Sequence, residues 1–329
     1  MPSFESEARP EFAAESARYR RELLAHCYRL VGSAHEAEDL VQETYLRAFR
    51  GYATFKGEAS LRSWLYKIAT NVCLTALGSR QLRVLPSGLG AAYDGPERPA
   101  TLVPPGEVSW LEPLPDAWTV AAEDDPGAGV VARESLRLAL VASLQYLPPR
   151  QRAILILRDV LAFSAEEAAE ILGSSTAAVK SGLQRARARL EGATPERENL
   201  LEPNDPRARE LLEGYVAAFE RSDATLLVRV LCADASLEAT PFRDWVAGRA
   251  NCVRMLQNYV LGRPGEWRLL ATTANSQPAA ALYRRGDQGV LGAYGVVVLA
   301  AVPTGVSRVI AFHDPALVRL FGLPASLAH

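Results

Sequence analysis

The sequence predicts a multidomain protein: two all-α helical domains followed by an α+β domain. Three observations carry that expectation. The chain has 329 residues, 49% of them hydrophobic, more than one core organises, so two or three domains are expected. Apolar residues recur at the helical period through 11–77 and again through 131–191, with a proline- and glycine-rich stretch between. From residue 204 helices come first and strand-like runs follow, the order of an α+β domain.

The net charge of -2 gives no overall basic character, but the average hides local fields. Residues 81–130 carry two basic and eight acidic side chains, net -6, whereas 131–192 carry nine basic and six acidic, net +3. Four cysteines, Cys27, Cys73, Cys232 and Cys252, stand far apart with no CxxC pair. No metal site, no cofactor and no disulfide framework is expected from them. The first residues, MPSFESEARPEF, are acidic and lack an apolar run, so they do not read as a signal peptide. The uncharged stretch 288–307 is interrupted by Gly289, Gly292, Gly295, Pro303 and Gly305. It reads as buried strands separated by turns rather than a membrane span. A cytoplasmic protein with no membrane partner is expected.

Taken in order, Glu36–Tyr52 places Leu40, Val41, Tyr45, Leu46 and Phe49 on one side of a helix and its charges elsewhere. Leu61–Leu77 repeats the pattern with Leu61, Trp64, Leu65, Ile68, Val72 and Leu74. Residues 78–130 hold eight of the 21 prolines and seven glycines, which prevents long helices. They read as a linker, partly extended. After Pro148-Pro149 a short helix covers Arg150–Val160. Ser164 and Glu167 form a capping box, in which hydroxyl and carboxylate satisfy free N–H groups at a helix start. Gly173 suits a left-handed helix end, and Ser174 or Ser175 caps the next helix, which runs to Leu190. In the tail, helices are expected at Arg207–Arg221, Ala224–Cys232 and Gly248–Val260. Strands are expected at Trp267–Thr273, Ala279–Arg284, Val290–Val302 with a break, and Ser307–His313.

The helix Ser174–Leu190 carries Lys180, Arg185, Arg187 and Arg189 and no acidic residue. Val179, Leu183, Ala186 and Leu190 make its buried side. A helix of this width fits the DNA major groove, where side chains near its N-terminus reach base edges. Its cations would meet phosphates, which adds affinity but little sequence information. A solvated basic helix in a bundle is the alternative.

The run AHEAEDLVQETYLRAFRGYATFKGEASLRSWLYKIATNVCLTAL (Ala34–Leu77) closely resembles region 2 of sigma-70 family RNA polymerase sigma factors of the extracytoplasmic-function group. The run LPPRQRAILILRDVLAFSAEEAAEILGSSTAAVKSGLQRARARL (Leu147–Leu190) resembles their region 4. The resemblance implies that 11–80 binds core polymerase and the −10 element and that 131–192 binds the −35 element. The partners it implies are the β′ clamp helices and β flap of core RNA polymerase, and promoter DNA. It assigns core binding to Asp39, Gln42, Glu43 and Arg47; Asp39 and Glu43, four residues apart, share a helix face. It assigns −10 contacts to Tyr52, Phe55, Lys56, Arg62, Tyr66, Lys67 and Asn71, residue types that stack on unpaired bases or meet the backbone. Phe55 could instead anchor its loop, and Trp64 falls on the core stripe. It assigns −35 contacts to Ser175, Thr176, Lys180, Ser181, Gln184, Arg185 and Arg187. The sequence departs from the family at Thr70, Thr75 and Gly78-Ser79, which lack charges often found there, and at Gly182, where arginine is common.

The tail at 204–329 resembles the SnoaL-like domain fused to some of these sigma factors. The resemblance rests on ATPFRDWVAGRANCV (Ala239–Val253), ANSQPAAALYRR (Ala274–Arg285) and FHDPALVRLFGLP (Phe312–Pro324). It implies a cone-shaped α+β fold around a pocket, with a regulatory role and a small-molecule ligand as a candidate partner. A catalytic tail would need a carboxylate base and a donor for a developing oxyanion. The candidates are Asp234, Asp244, Tyr259, Tyr283, Tyr294 and His313, and none sits in a motif tied to a mechanism. Asp314, before Pro315, reads as a helix cap. The expectation is a sigma factor that is not an enzyme and is modulated by its own C-terminal domain. The alternative is a helix-turn-helix DNA-binding regulator with a ligand-sensing or isomerase-like tail.

Overall fold

A computed structural model describes residues 12–55, 57, 60–78, 81–93, 101–119, 131, 133–191 and 199–327. Two compact units result: 1–83 with 118–195, and 84–117 with 196–329. The N-terminal run 1–11, Lys56 and the linker segments 94–100 and 120–130 lie outside the described residues.

The first unit is helical. Its leading helices are Arg20–Val31, Ala34–Gly51 and Leu61–Leu77. Gly32 ends the first with φ 71°, a left-handed turn that glycine adopts without strain. Ser33 then caps the second by accepting the Glu36 N–H at 3.1 Å. Leu23, Leu24, Leu30, Val41, Leu65 and Val72 lie buried among them. The later helices are Leu138–Gln145, Pro149–Leu155 with a π turn over Ile156–Val160, Ala165–Leu172 and Thr176–Glu191. The predicted capping box is present, Ser164 N–H meeting Glu167 Oε2 at 2.7 Å and Glu167 N–H meeting Ser164 Oγ at 3.1 Å. Gly173 takes the left-handed end at φ 56°. Two buried arginines join the early and late helices. Arg29 Nε donates to Ser135 Oγ at 2.9 Å. Arg152 donates to the Leu30 carbonyl and, at 2.6 Å, to Gln145 Oε1. Burial lowers both guanidinium groups to about 10, so these hydrogen bonds offset a real desolvation cost.

The second unit is α+β. Short strands β1 (Arg83–Val84) and β2 (Ser109–Trp110) pair. The main sheet comprises β3 (Leu231–Thr240), β4 (Trp245–Ala247), β5 (Trp267–Ala274), β6 (Gln277–Arg285), β7 (Leu291–Val302), β8 (Gly305–Phe312) and β9 (Ser326–Leu327). Its order is β4-β3-β8-β7-β6-β5, with β9 against β7. All pairs are antiparallel except β3 with β8. Helices Pro206–Glu220, Ala224–Val230 and Arg249–Tyr259 cover one face, where Leu237, Trp267, Leu269, Leu282, Leu299 and Val309 are buried.

Two departures from expectation stand out. The helix expected to reach Cys232 stops at Val230, and β3, unforeseen, starts at Leu231. The run LCADASLEAT has no β-branched residue before its last position, so its strand state comes from pairing with β4 and β8 rather than propensity. The second departure concerns the stretch read as a linker. Residues 84–117 are part of the sheet-bearing unit. Ser87 N–H meets Glu238 Oε2 at 2.9 Å, and Leu114 N–H meets Asn275 Oδ1 at 2.8 Å. Ser276 N–H meets Asp116 Oδ1 at 2.8 Å, and Leu102 bridges Phe242. Leu111 and Leu114 are fully buried. Its prolines do exclude long helices, but they leave a mostly extended chain whose N–H groups find partners in the sheet-bearing unit.

Among the described residues no helix is long and apolar enough to cross a membrane, and no cluster of three metal-ligating side chains occurs. The four cysteines are buried and unbridged.

Candidate functional site

Ala34–Gly51 buries Leu40, Val41, Thr44 and Ala48 and turns Asp39, Gln42 and Arg47 to solvent, with Glu43 half-buried. Arg47 Nε donates to Glu43 Oε1 at 2.6 Å, an i,i+4 pair along this face. Leu46, expected on the core stripe, is instead 52% exposed, and Phe49 is 42% exposed. Leu46 follows Gln42 by four residues and Glu43 by three, so an apolar side chain stands within the polar face. A helical wheel could have shown this, since Leu46 lies away from Leu40, Val41 and Thr44.

The next helix corrects one assignment. Tyr66 is fully buried, so it is not an open base-stacking surface. Its hydroxyl donates to Glu22 Oε2 at 3.2 Å, and its ring meets His26 at 5.1 Å and Phe163 at 5.2 Å, both edge-on. Burial, with Glu22 adding to it, pushes the phenol well above its ordinary value. Arg62 Nε donates to Glu22 at 2.9 Å, and its guanidinium lies over the Phe163 ring at 4.9 Å. His26 shares Thr70 Oγ1 at 2.9 Å. Burial, followed by Arg29 and Arg62, lowers its pKa to about 3, so the imidazole is neutral. Lys67 and Asn71 are exposed on the other side. Tyr52 and Phe55 are half-buried against Trp64, with the Phe55 and Trp64 rings 4.8 Å apart. Phe55 therefore anchors its loop. Lys56 lies outside the described residues.

Ala165–Leu172, a turn at 173–175 and Thr176–Glu191 form a helix-turn-helix. Ser175 Oγ accepts the Ala178 N–H at 3.2 Å, which settles the cap on Ser175. Val179, Leu183 and Ala186 are buried, whereas Lys180, Ser181, Gln184, Arg185 and Arg187 are exposed and Thr176 is half-buried. Arg185 Nη1 donates to Ser181 Oγ at 3.2 Å. Arg187 makes a two-pronged pair with Asp159 at 2.9 and 2.7 Å, so its charge is already matched within the unit. Gly182 faces inward: a Cβ there would lie 2.5 Å from Ile154 Cδ1. Glycine at this position is a close approach of two helices rather than a missing DNA contact.

The second unit holds a cavity of about 110 Å³ between the sheet and its helices. Of the six candidate catalytic residues, Asp244, Tyr259, Tyr294 and His313 line it, and Asp234 and Tyr283 do not. Asp234 is exposed, and the Tyr283 hydroxyl donates to the Pro324 carbonyl at 2.8 Å. Asp244 Oδ2 accepts the Thr101 N–H at 2.7 Å, which occupies one of the two carboxylate oxygens. Burial lowers the pKa of His313 to about 4, and its Nδ1 is buried without a hydrogen bond. Unforeseen lining residues include Trp245, Trp267, Phe219 and Arg284. They come from four separate elements, which no local motif joins. Asp314 caps the last helix through the Ala316 N–H at 2.8 Å.

The family described as Sigma-70 region 2 matches residues 16–83, and Sigma-70, region 4 matches 137–190. ECF RNA polymerase sigma factor SigG of Mycobacterium tuberculosis is 49% identical over 323 residues, 98% of this chain and 86% of that protein. SigJ of the same species is 30% identical over 215 residues, 65% of this chain and 60% of that protein. The crystal structure of M. tuberculosis extracytoplasmic function sigma factor SigJ superposes with a TM-score of 0.59 at 25% identity, covering 95% of this chain and 99% of that one. With two sigma regions in order and a near full-length relative, the chain belongs to the extracytoplasmic-function sigma factors of RNA polymerase.

Proposed function

We propose that this sigma factor grips core polymerase through Asp39, Gln42, Glu43, Leu46 and Arg47, and that its C-terminal unit modulates its activity. As a member of its family it binds RNA polymerase and directs transcription initiation. The clamp-helix reading draws on an exposed apolar side chain set among charges, the pattern of a protein-binding hot spot with a polar surround. For the −35 duplex we assign Lys180, Ser181 and Gln184 to the major groove, with Thr176 and Ser175 at the helix start and Arg185 on phosphates. Arg187 can serve only if it leaves Asp159. For the −10 strand we assign exposed Lys67 and Asn71, together with half-buried Tyr52. The bacterial cytoplasm, where polymerase and promoters reside, is the proposed compartment.

One observation carries the regulatory reading: the segment joining the two DNA-binding helical groups is itself bound by the C-terminal unit, through Glu238, Asp244, Asn275 and the Trp245 backbone. A chain whose 84–117 segment is held has fewer arrangements of those groups, and polymerase binding must select among them. Promoter-directed transcription with core polymerase, comparing the full chain with a chain ending at Pro203, tests this. We expect several-fold more transcript from the shortened chain; equal yield contradicts regulation, and loss of transcript makes the tail a required activator instead.

A further inference from the structure

We infer that the cavity of the C-terminal unit is a site for a neutral, single-ring phenolic ligand, and that its occupancy is felt by the segment bound at its rim. The inference rests on the reading of this unit as regulatory.

The wall is aromatic. Trp267 meets Tyr294 edge-on at 5.1 Å, Tyr294 meets His313 at 4.9 Å, and His313 meets Phe242 edge-on at 5.7 Å. Phe219 meets Trp267 at 5.9 Å from the helix side. Such a wall favours a flat apolar body. The volume of about 110 Å³ is below the ~150 Å³ of an engineered cavity that binds benzene, so an occupant is limited to a single ring.

The one arginine among the described lining residues is already paired, and Asp244 accepts the Thr101 N–H on one oxygen. Arg284 donates twice to Glu266, at 3.0 and 2.7 Å, and lies over Trp267 at 5.4 Å. An anionic ligand would find no unpaired cation among the described lining residues and would lose its hydration. One neutral polar atom among the described lining residues is left unsatisfied: His313 Nδ1 is buried with no hydrogen bond, and the Tyr215 side chain also lines the cavity. Buried polar groups left without partners are rare and costly. A hydroxyl on the ligand would supply what the protein does not.

The rim ties the site to the joining segment. Phe242, Asp244 and Trp245 line the cavity. The same turn bridges Leu102 through Phe242, accepts the Thr101 N–H on Asp244 and accepts the Tyr93 N–H on the Trp245 carbonyl at 2.7 Å. Trp245 Nε1 also donates to the Gly90 carbonyl at 2.8 Å. A ligand pressing on this turn acts on both.

The test is calorimetric titration of the full chain with p-cresol, toluene and benzoate, with hydrogen exchange read at Tyr93, Thr101 and Val103, whose N–H meets the Pro241 carbonyl at 3.0 Å. The expected result is saturable binding of one p-cresol per chain, at least tenfold tighter than toluene or benzoate. His313→Phe should remove the preference over toluene, and Ala239→Leu, which narrows the cavity without touching a polar group, should abolish binding. Exchange at the three amides should change several-fold with p-cresol. Absence of saturable p-cresol binding, or equal affinity for toluene, overturns the site. Binding with unchanged amides overturns the coupling. Binding with changed amides but unaltered transcription sinks the regulatory reading while the site stands.

Discussion

A neutral histidine at the centre of the helical unit makes that unit sensitive to acid. His26 is buried, with Arg29 and Arg62 near enough to disfavour a second positive charge, and its pKa is about 3 in the fold against 6.5 when exposed. The unfolded chain therefore binds one more proton between those values. The stability contribution is fully present above pH 6.5 and is lost progressively as pH falls from 6.5 towards 3, at about 1.4 kcal/mol per pH unit. His26→Gln keeps a partner for Thr70 Oγ1 and removes the titration. Hydrogen exchange in Arg20–Val31 between pH 6 and 4 should then lose that increment of pH dependence after correction for intrinsic rates. An unchanged slope would show that another group carries it. Tyr66 shows why single residues were the hardest part to read. Leu61, Leu65, Ile68 and Val72 make one apolar stripe, and Tyr66 lies beside it. That helix is buried on a second side too, where Tyr66, Thr70 and Cys73 are covered, and nothing within 61–77 announces Phe163 as the cover.

At the scale of elements, local chemistry was legible wherever it was self-contained. The helix Leu61–Leu77 has the bounds its periodicity predicts, and Ser164, Glu167 and Gly173 cap as their types require. β3 was not legible, because its alanines and serine carry little strand preference and its state comes from β8, some 70 residues later. The recognition helix belongs to the legible class, and its exposed face makes separable predictions. Lys180→Ala should weaken promoter binding across sequences and lower the salt slope by about 1, as loss of one phosphate contact does. Gln184→Ala should instead relax base preference at one position, with a discrimination loss of about 1–3 kcal/mol. Binding measured on promoter variants at several salt concentrations separates the two. Equal behaviour of both variants and the parent would place recognition on another surface.

For the whole molecule, composition foretold separate units and an acidic joining segment, whose prolines and glycines suggested a partly extended linker. Its backbone tells otherwise, since N–H groups of Ser87, Thr101 and Leu114 each end on side chains of the C-terminal unit, on β3 and on two of the sheet's turns. Charge predicts how a segment is solvated; it does not reveal which distant acceptors are waiting for its amides. The chain thus carries polymerase-binding and promoter-reading helices together with a unit able to restrain what joins them. The most direct measurement is association of the purified full chain with core RNA polymerase, for the parent and for Asp39→Arg/Glu43→Arg. We predict a stable complex for the parent and at least a hundredfold weaker one for the double variant, whose substitutions fall on exposed and half-buried positions of one helix face. Equal affinity of the two would move the grip elsewhere, and a parent chain that does not bind core polymerase would contradict the central claim.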